Sequence, residues 1–228
     1  MPRLRGTTQT KPEGESAWAM LNQTLFGDNG RGGYNVTTVP EALPFDWSAT
    51  FGREARLGLE IGFNRGVFLR GLSKRFPERN FVGIEVRRRY VWRLTHLLGD
   101  DVEAPRNLRL IWADAKRVTT DLFAAGSVND VFITFPDPWW KKRHAKRRLV
   151  STDYASDLAR LLPVGGVIWV KTDVPAIAEE IRESLASVAA LGAPEAFGAD
   201  ELPLTHREGS CIKAGLPIYR FRVEKLRA

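Results

Sequence analysis

The chain has 228 residues, 43% hydrophobic and 27% charged, which is enough apolar mass for one sizeable core and excludes global disorder. No apolar run reaches the roughly 18 residues of a membrane-spanning helix, and one cysteine, Cys211, excludes an internal disulfide and a cysteine-rich zinc site. Thirty-four Lys and Arg against 27 Asp and Glu leave a net charge of +7, which suits a polyanionic partner. The basic start, Met1-Pro-Arg-Leu-Arg5, is not followed by an apolar signal segment, so a cytoplasmic location is expected by elimination. No metal is expected.

Residues 1–50 scatter Gly6, Gly14, Gly27, Gly30, Gly32 and Gly33 among polar residues, with no sustained strand or helix period. The expectation is an irregular or mobile extension with a short helix near 17–25, ahead of a folded domain at 51–228. From about residue 55 the pattern becomes strand, turn and helix in repetition. Strands are expected at 57–63 (LGLEIGF), 80–86 (NFVGIEV), 108–112, 131–135 (VFITF) and 167–171 (VIWVK), with a closing strand at 218–223 (IYRFRV). Helices are expected at 67–75, from about 87 to 98, at 153–162 and at 175–190. Short apolar strands separated by helices predict an α/β fold with a parallel sheet covered on both faces. Such a sheet binds ligands beyond the carboxyl ends of its strands, where strand order reverses.

The strand ends carry the chemistry. The first is followed by Glu60-Ile-Gly62-Phe-Asn64-Arg-Gly66, a glycine turn that lets backbone approach a ligand. Glu85 ends the second strand, 25 residues beyond Glu60, where a carboxylate can accept from both ribose hydroxyls of an adenosine. Asp114 follows the third, within reach of an adenine amine. Each also has a plain reading: the glycines shape a turn, and Asp114 caps a helix. Their joint placement on three successive strand ends favours an adenosine-containing cofactor.

The fourth strand ends in Phe135-Pro-Asp137-Pro-Trp139-Trp-Lys141-Lys-Arg143-His144, and residues 141–148 hold six Lys or Arg in eight positions. Two prolines hold the Asp137 carboxylate in a stiff turn. The tryptophans offer a stacking surface and the cations suit phosphates. Carboxylate, stacking surface and cations together fit a nucleobase attached to its backbone.

This segment resembles the signature of bacterial tRNA (guanine-N7-)-methyltransferases. Phe45-Asp-Trp47, Glu60-Ile-Gly62, Gly83-Ile-Glu85, Ala113-Asp-Ala115, Lys171-Thr-Asp173, Thr205-His-Arg-Glu208 and Gly215-Leu-Pro-Ile-Tyr219 fall in order around it, over about residues 44–226. The resemblance implies a Rossmann-like S-adenosylmethionine-dependent fold, with a mostly parallel seven-stranded sheet and helices on both faces. It implies methylation of N7 of a guanine in the variable loop of tRNA. It further implies that Glu60, Gly62, Glu85, Asp114 and Asp137 contact S-adenosyl-L-methionine; Asp137 is also expected to be catalytic, as a fixed carboxylate beside a purine that turns cationic on N7 methylation. Substrate contacts would come from Lys141, Asp173, Thr205, His206, Arg207 and Glu208, and RNA-backbone contacts from Arg143, Lys146, Arg147 and Arg148. The chain departs from the pattern at Asn64, where similar proteins usually have a second glycine. Asn is the non-glycine residue that best tolerates the left-handed region, so the turn can survive.

Three readings stay open. Thr205-x-x-Glu208 also matches a helix capping box, but Gly209 and Ser210 follow with no apolar helical run, so a place at the substrate edge is favoured. Asp173 could instead cap the helix after it. Arg87, Arg88 and Arg89 stand where a helix begins and the dipole disfavours cations, so they either extend an RNA surface or are solvated. Three alternative functions are a nicotinamide-dependent oxidoreductase, which the glycine turn and Glu85 also suit but which leaves the aromatic and cationic segment unexplained, a tRNA-binding module with lost turnover, and an exocyclic-amine methyltransferase of the Asp-Pro-Pro-aromatic kind.

Overall fold

A computed structural model of the chain describes residues 43–101, 103–138 and 148–228, with the backbone of two strands at 25–28 and 34–37. Five parallel strands form the centre: β3 (Leu57–Ile61), β4 (Asn80–Glu85), β5 (Leu108–Trp112), β6 (Asp130–Thr134) and β7 (Val167–Thr172). Their order is β5-β4-β3-β6-β7. Antiparallel β9 (Tyr219–Glu224) and the short β8 (Glu195–Ala196) extend the β7 side, giving the expected mostly parallel arrangement of seven strands, which a hairpin at the other edge brings to nine. Every residue of β3 and β4 is buried, which is why these strands read as apolar runs.

Alternation along the strands divides the core in two. Leu59, Ile61, Val82, Ile84, Val131 and Ile133 face a layer built from α1 (Trp47–Phe51), α4 (Ala115–Leu122), α5 (Thr152–Leu161) and α6 (Pro175–Ala186). Phe81, Leu108, Leu110 and Phe132 face α2 (Val67–Arg75) and α3 (Arg88–Gly99). Glu60, between Leu59 and Ile61, therefore points to the α2/α3 face with the period of two that a strand imposes. Gly83 lies on that face as well. A Cβ there would stand 2.4 Å from Leu69 and 2.7 Å from Phe63, so only glycine lets α2 pack this closely.

The region before residue 50 differs from the expectation. Backbone strands β1 (Leu25–Asp28) and β2 (Tyr34–Thr37) form a hairpin, and β1 pairs antiparallel with β5 at the free edge of the sheet. Four-residue strands are too short to show a period, and β1 takes its register from β5 rather than from its own pattern. The helix expected at 17–25 lies outside the described residues, apart from Leu25, which opens β1. Further along, Phe45 and Trp47 are buried in the core. Trp47 stacks on Phe123 (4.9 Å, 15°) and its Nε1 donates to the carbonyl of Leu122 at 3.1 Å.

Candidate active site

Strand order reverses between β3 and β6, and two cavities open at their carboxyl ends. One, of about 640 Å³, lies towards β4 and β5 and is lined by Glu85, Arg87 and Asp114. The other, of about 490 Å³, lies towards β7 and is lined by Glu60, Asp173, Thr205, His206 and Arg207. Gly62, Asn64, Thr134, Phe135, Pro136 and Asp137 line both. A two-part ligand lying across this common wall would meet both cavities.

The turn after β3 winds through the left-handed region at Gly62 (φ 78°), Asn64 (φ 49°) and Gly66 (φ 69°). Asn64 thus adopts the conformation that the missing glycine would take, and the turn survives. Its backbone N–H donates to Oε2 of Glu85 at 2.9 Å, while the N–H of Arg87 donates to Oε1 at 2.8 Å. These two bonds hold the Glu85 carboxylate at the end of β4. A Cβ on Gly62 would meet nothing within 4 Å, so the space above the turn is open.

Glu60 is 1% exposed. Thr134 donates its hydroxyl to Oε1 at 3.1 Å, and Oε2 has no partner. Burial pushes its pKa up to about 8; nearby Glu85 pushes the same way, while the Thr134 bond and Lys171 oppose. Asp114 caps α4, its Oδ1 accepting from the N–H of Lys116 at 3.2 Å, and still lines the cofactor-side cavity. The capping reading and the cavity reading both hold for this residue.

Asp137 stands on the common wall, 55% exposed, with Oδ2 accepting from Arg87 at 2.7 Å. Its backbone is set by Phe135, a bulky residue in the left-handed region (φ 48°) whose N–H donates to the carbonyl of Lys171 at 2.7 Å. Such a conformation costs about 1–3 kcal/mol and persists only where surroundings impose it. Lys141, Arg143, Lys146 and Arg147, with Trp139, lie outside the described residues. Arg148, expected at the RNA backbone, is instead ion-paired with Glu180 of α6 and only partly exposed. That pairing gives Arg148 a protein partner at the foot of the cationic segment.

In the Thr205–Glu208 segment the capping reading holds and takes Glu208 away from the cavity, while the other three residues line it. The segment opens α7 (His206–Lys213) with a complete capping box: Glu208 N–H donates to the Thr205 hydroxyl at 2.9 Å, and Thr205 N–H donates to Glu208 Oε2 at 3.2 Å. Glu208 is fully buried and does not line the cavity. It accepts from Lys171 Nζ at 2.8 Å and from Arg220 Nε at 2.9 Å. Burial lowers the Lys171 pKa, opposed by the Glu208 partner. What α7 offers the cavity is Thr205, His206 and Arg207. Arg207 is ion-paired with Asp173, and His206 Nε2 lies 2.9 Å from Arg65. Sequence reasoning missed Arg65, Thr134 and the Lys171–Glu208 pair, because their partners are remote in the chain.

The chain matches the Methyltransf_4 methyltransferase family model over residues 54–220. It is 40% identical to the tRNA (guanine-N(7)-)-methyltransferase of Anaeromyxobacter dehalogenans over 198 residues, covering 82% of this chain and 94% of that one. It is 35% identical to the enzyme of that name from Synechococcus sp. (strain JA-3-3Ab) over 186 residues, covering 80% of this chain and 78% of that one. The chain belongs to the tRNA (guanine-N(7)-)-methyltransferase family. Among solved structures, it shares its fold with the 16S rRNA methyltransferase KamB, with a TM-score of 0.61 at 14% identity, covering 85% of this chain and 97% of that one.

An S-adenosylmethionine-dependent methyltransferase needs acceptors for a ribose and for an ammonium group. Glu85 at the end of β4 suits the first, and the unpartnered, buried Oε2 of Glu60 suits the second. The residues of this methyltransferase therefore fit its cofactor. Among the described residues, no group of three or more His, Cys, Asp or Glu could hold a metal ion, and no helix is long and apolar enough to cross a membrane.

Proposed function

We propose that the chain transfers a methyl group from S-adenosylmethionine to N7 of a guanine in tRNA, with the adenosine of the cofactor in the β4/β5-side cavity, its amino-acid end reaching Glu60 across the common wall, and the base in the outer part of the β7-side cavity. The observation that carries the reading is Asp137, which among the described residues is the one ionisable side chain on the wall common to both cavities. When bound, S-adenosylmethionine supplies a methyl group activated by its sulfonium charge.

Glu60, Gly62, Glu85 and Asp114 hold the cofactor, Glu85 at the ribose and Asp114 at the adenine. N7 of guanine carries a lone pair and no proton, so no general base is needed. What remains is placement, to which a stiff wall contributes most. Positive charge grows on the purine as the methyl arrives, and a fixed carboxylate is then worth more than in the ground state. Asp137 supplies it, held by Arg87 at Oδ2. Asp173, Thr205, His206 and Arg207 edge the base, joined by Lys141. Glu208 acts through Lys171 and Arg220, so it is a positioning residue. A base stacked in folded RNA must swing out to enter, and Arg143, Lys146 and Arg147 hold flanking phosphates meanwhile.

Asp137→Ala is expected to lower methyl transfer by at least 100-fold, in line with the loss of one electrostatic group, about 2.7–4 kcal/mol, while tRNA affinity stays near wild type. Radiolabel transfer to unmodified tRNA, with mass spectrometry of the methylated nucleoside, measures it. Full activity in that variant removes the assigned role. A product methylated on an exocyclic amine removes the N7 reading.

A further inference from the structure

Two neighbouring helices begin at the mouth of the cofactor-side cavity, one behind an acid and the other with a run of cations. Lys116 and Arg117 of α4 follow the capping Asp114, with which Arg117 is ion-paired at 3.7 Å, whereas Arg87, Arg88 and Arg89 stand at the N-cap and first two positions of α3 with no acidic residue in its first turn. The N-terminus is the positive end of the helix dipole, so these cations oppose helix stability. The cofactor does not call for them either. S-adenosylmethionine carries a sulfonium and an ammonium against one carboxylate, and is itself a net cation.

The guanidinium groups of α3 are laid on aromatic rings. Arg88 lies over Trp92 (5.5 Å) and over Trp112 (5.1 Å). Arg89 lies over Tyr90 (4.7 Å) and donates to its hydroxyl at 3.2 Å. Trp112 is fixed in turn, its Nε1 donating to the carbonyl of Val86 at 3.1 Å. Arg93 is exposed one turn beyond Arg89, on the side away from buried Val91, Leu94 and Leu98. A guanidinium already ordered on a ring loses less freedom when it takes a phosphate, and its outer face can carry an unstacked base.

We propose that this face of α3, with Trp112 beside it, is a second RNA-binding surface that grips the tRNA backbone on the cofactor side of the cavity mouth. It lies across the mouth from Asp173 and Arg207: α3 follows β4, Asp173 follows β7, and β3 and β6 run between. The tRNA is thus held on both sides of the base that enters. The surface rests on the tRNA reading above and adds residues that the cavity itself does not use.

The test compares the full chain with R88Q/R89Q/R93Q and with R88K, using unmodified tRNA. Arg87 is left in place because it pairs with Asp137. The triple variant is expected to bind tRNA about tenfold or more weakly, with a log–log salt slope shallower by roughly 0.7–0.9 for each phosphate that is no longer neutralised. Calorimetric binding of S-adenosylhomocysteine, and turnover at saturating tRNA, stay at wild-type values. R88K keeps the charge but cannot lie flat on the rings, so it binds several-fold more weakly with the slope retained. A wild type that methylates tRNA beside a triple variant of unchanged affinity and slope overturns the surface alone. A wild type that does not methylate tRNA overturns the function, and the surface with it.

Discussion

Glu60 shows how one carboxyl is tuned by its place in a strand. The period of two turns it to the α2/α3 face, where it is removed from water with one oxygen unpartnered. Its pKa rises from 4.5 to about 8 because burial penalises the charged form. The native state therefore binds more protons than the unfolded chain between about pH 4.5 and 8. Stability is greatest below that window and declines as pH rises through it. Thermal unfolding from about pH 5 to 8 should show this decline in the wild type and a flatter profile in Glu60→Gln. A cation seated at Oε2 favours the ionised form, so cofactor binding near pH 7 should release a proton. Calorimetry in buffers of different ionisation heat measures that release; an identical value in Glu60→Gln would remove Glu60 as its source. The residue was legible in the sequence as an acid before a glycine turn. Its burial was not, since that depends on Thr134 and Phe132 of a strand more than 70 positions away.

At the scale of elements, α7 is held by charge more than by an apolar face. Of its eight residues only Glu208 and Cys211 are buried, and Gly209 and Ser210 weaken its intrinsic preference for helix. The capping signature was visible in the sequence, yet its weight was not. The deciding contacts come from Lys171 on β7 and Arg220 on β9, which only the folded sheet brings to Glu208. Glu208→Ala takes the carboxylate away from both cations and is expected to cost about 3–5 kcal/mol, measured by urea unfolding. Glu208→Gln keeps the shape and some of the hydrogen bonds, so it should cost less and raise KM for tRNA more than it lowers kcat. Equal losses for the two variants would count against the ionic anchoring of α7. The turn after β6 makes a similar point. Pro136 and Pro138 announced a stiff bend around Asp137, but the left-handed Phe135 that aims it is imposed by its bond to Lys171.

For the molecule as a whole, the folded body extends upstream of residue 51. Phe45 and Trp47 fill the layer beneath α4, and Trp47 both stacks and donates a hydrogen bond there. Trp47→Ala is expected to destabilise the chain by about 3–5 kcal/mol, the range for large-to-small changes in a core, and a chain beginning at residue 51 should lose at least as much. Denaturant midpoints of the two variants against wild type measure this; a truncated chain as stable as the full one would put the body's boundary after residue 50.

The amino-acid sequence by itself determined the βαβ order, the parallel sheet and the acids and glycines at its strand ends, because these follow from local periodicity and from what each residue type can do in a turn. It also carried the aromatic and cationic segment after β6, whose chemistry is contiguous in the chain. Tertiary structure alone decided that Arg87 meets Asp137, that Arg148 is taken up by Glu180 and that Glu208 is buried in an ion cluster. It also decided that Arg88 lies over two tryptophans. A charge's role depends on its nearest partners and on its distance from water, and both are set by strand order rather than by neighbours in sequence.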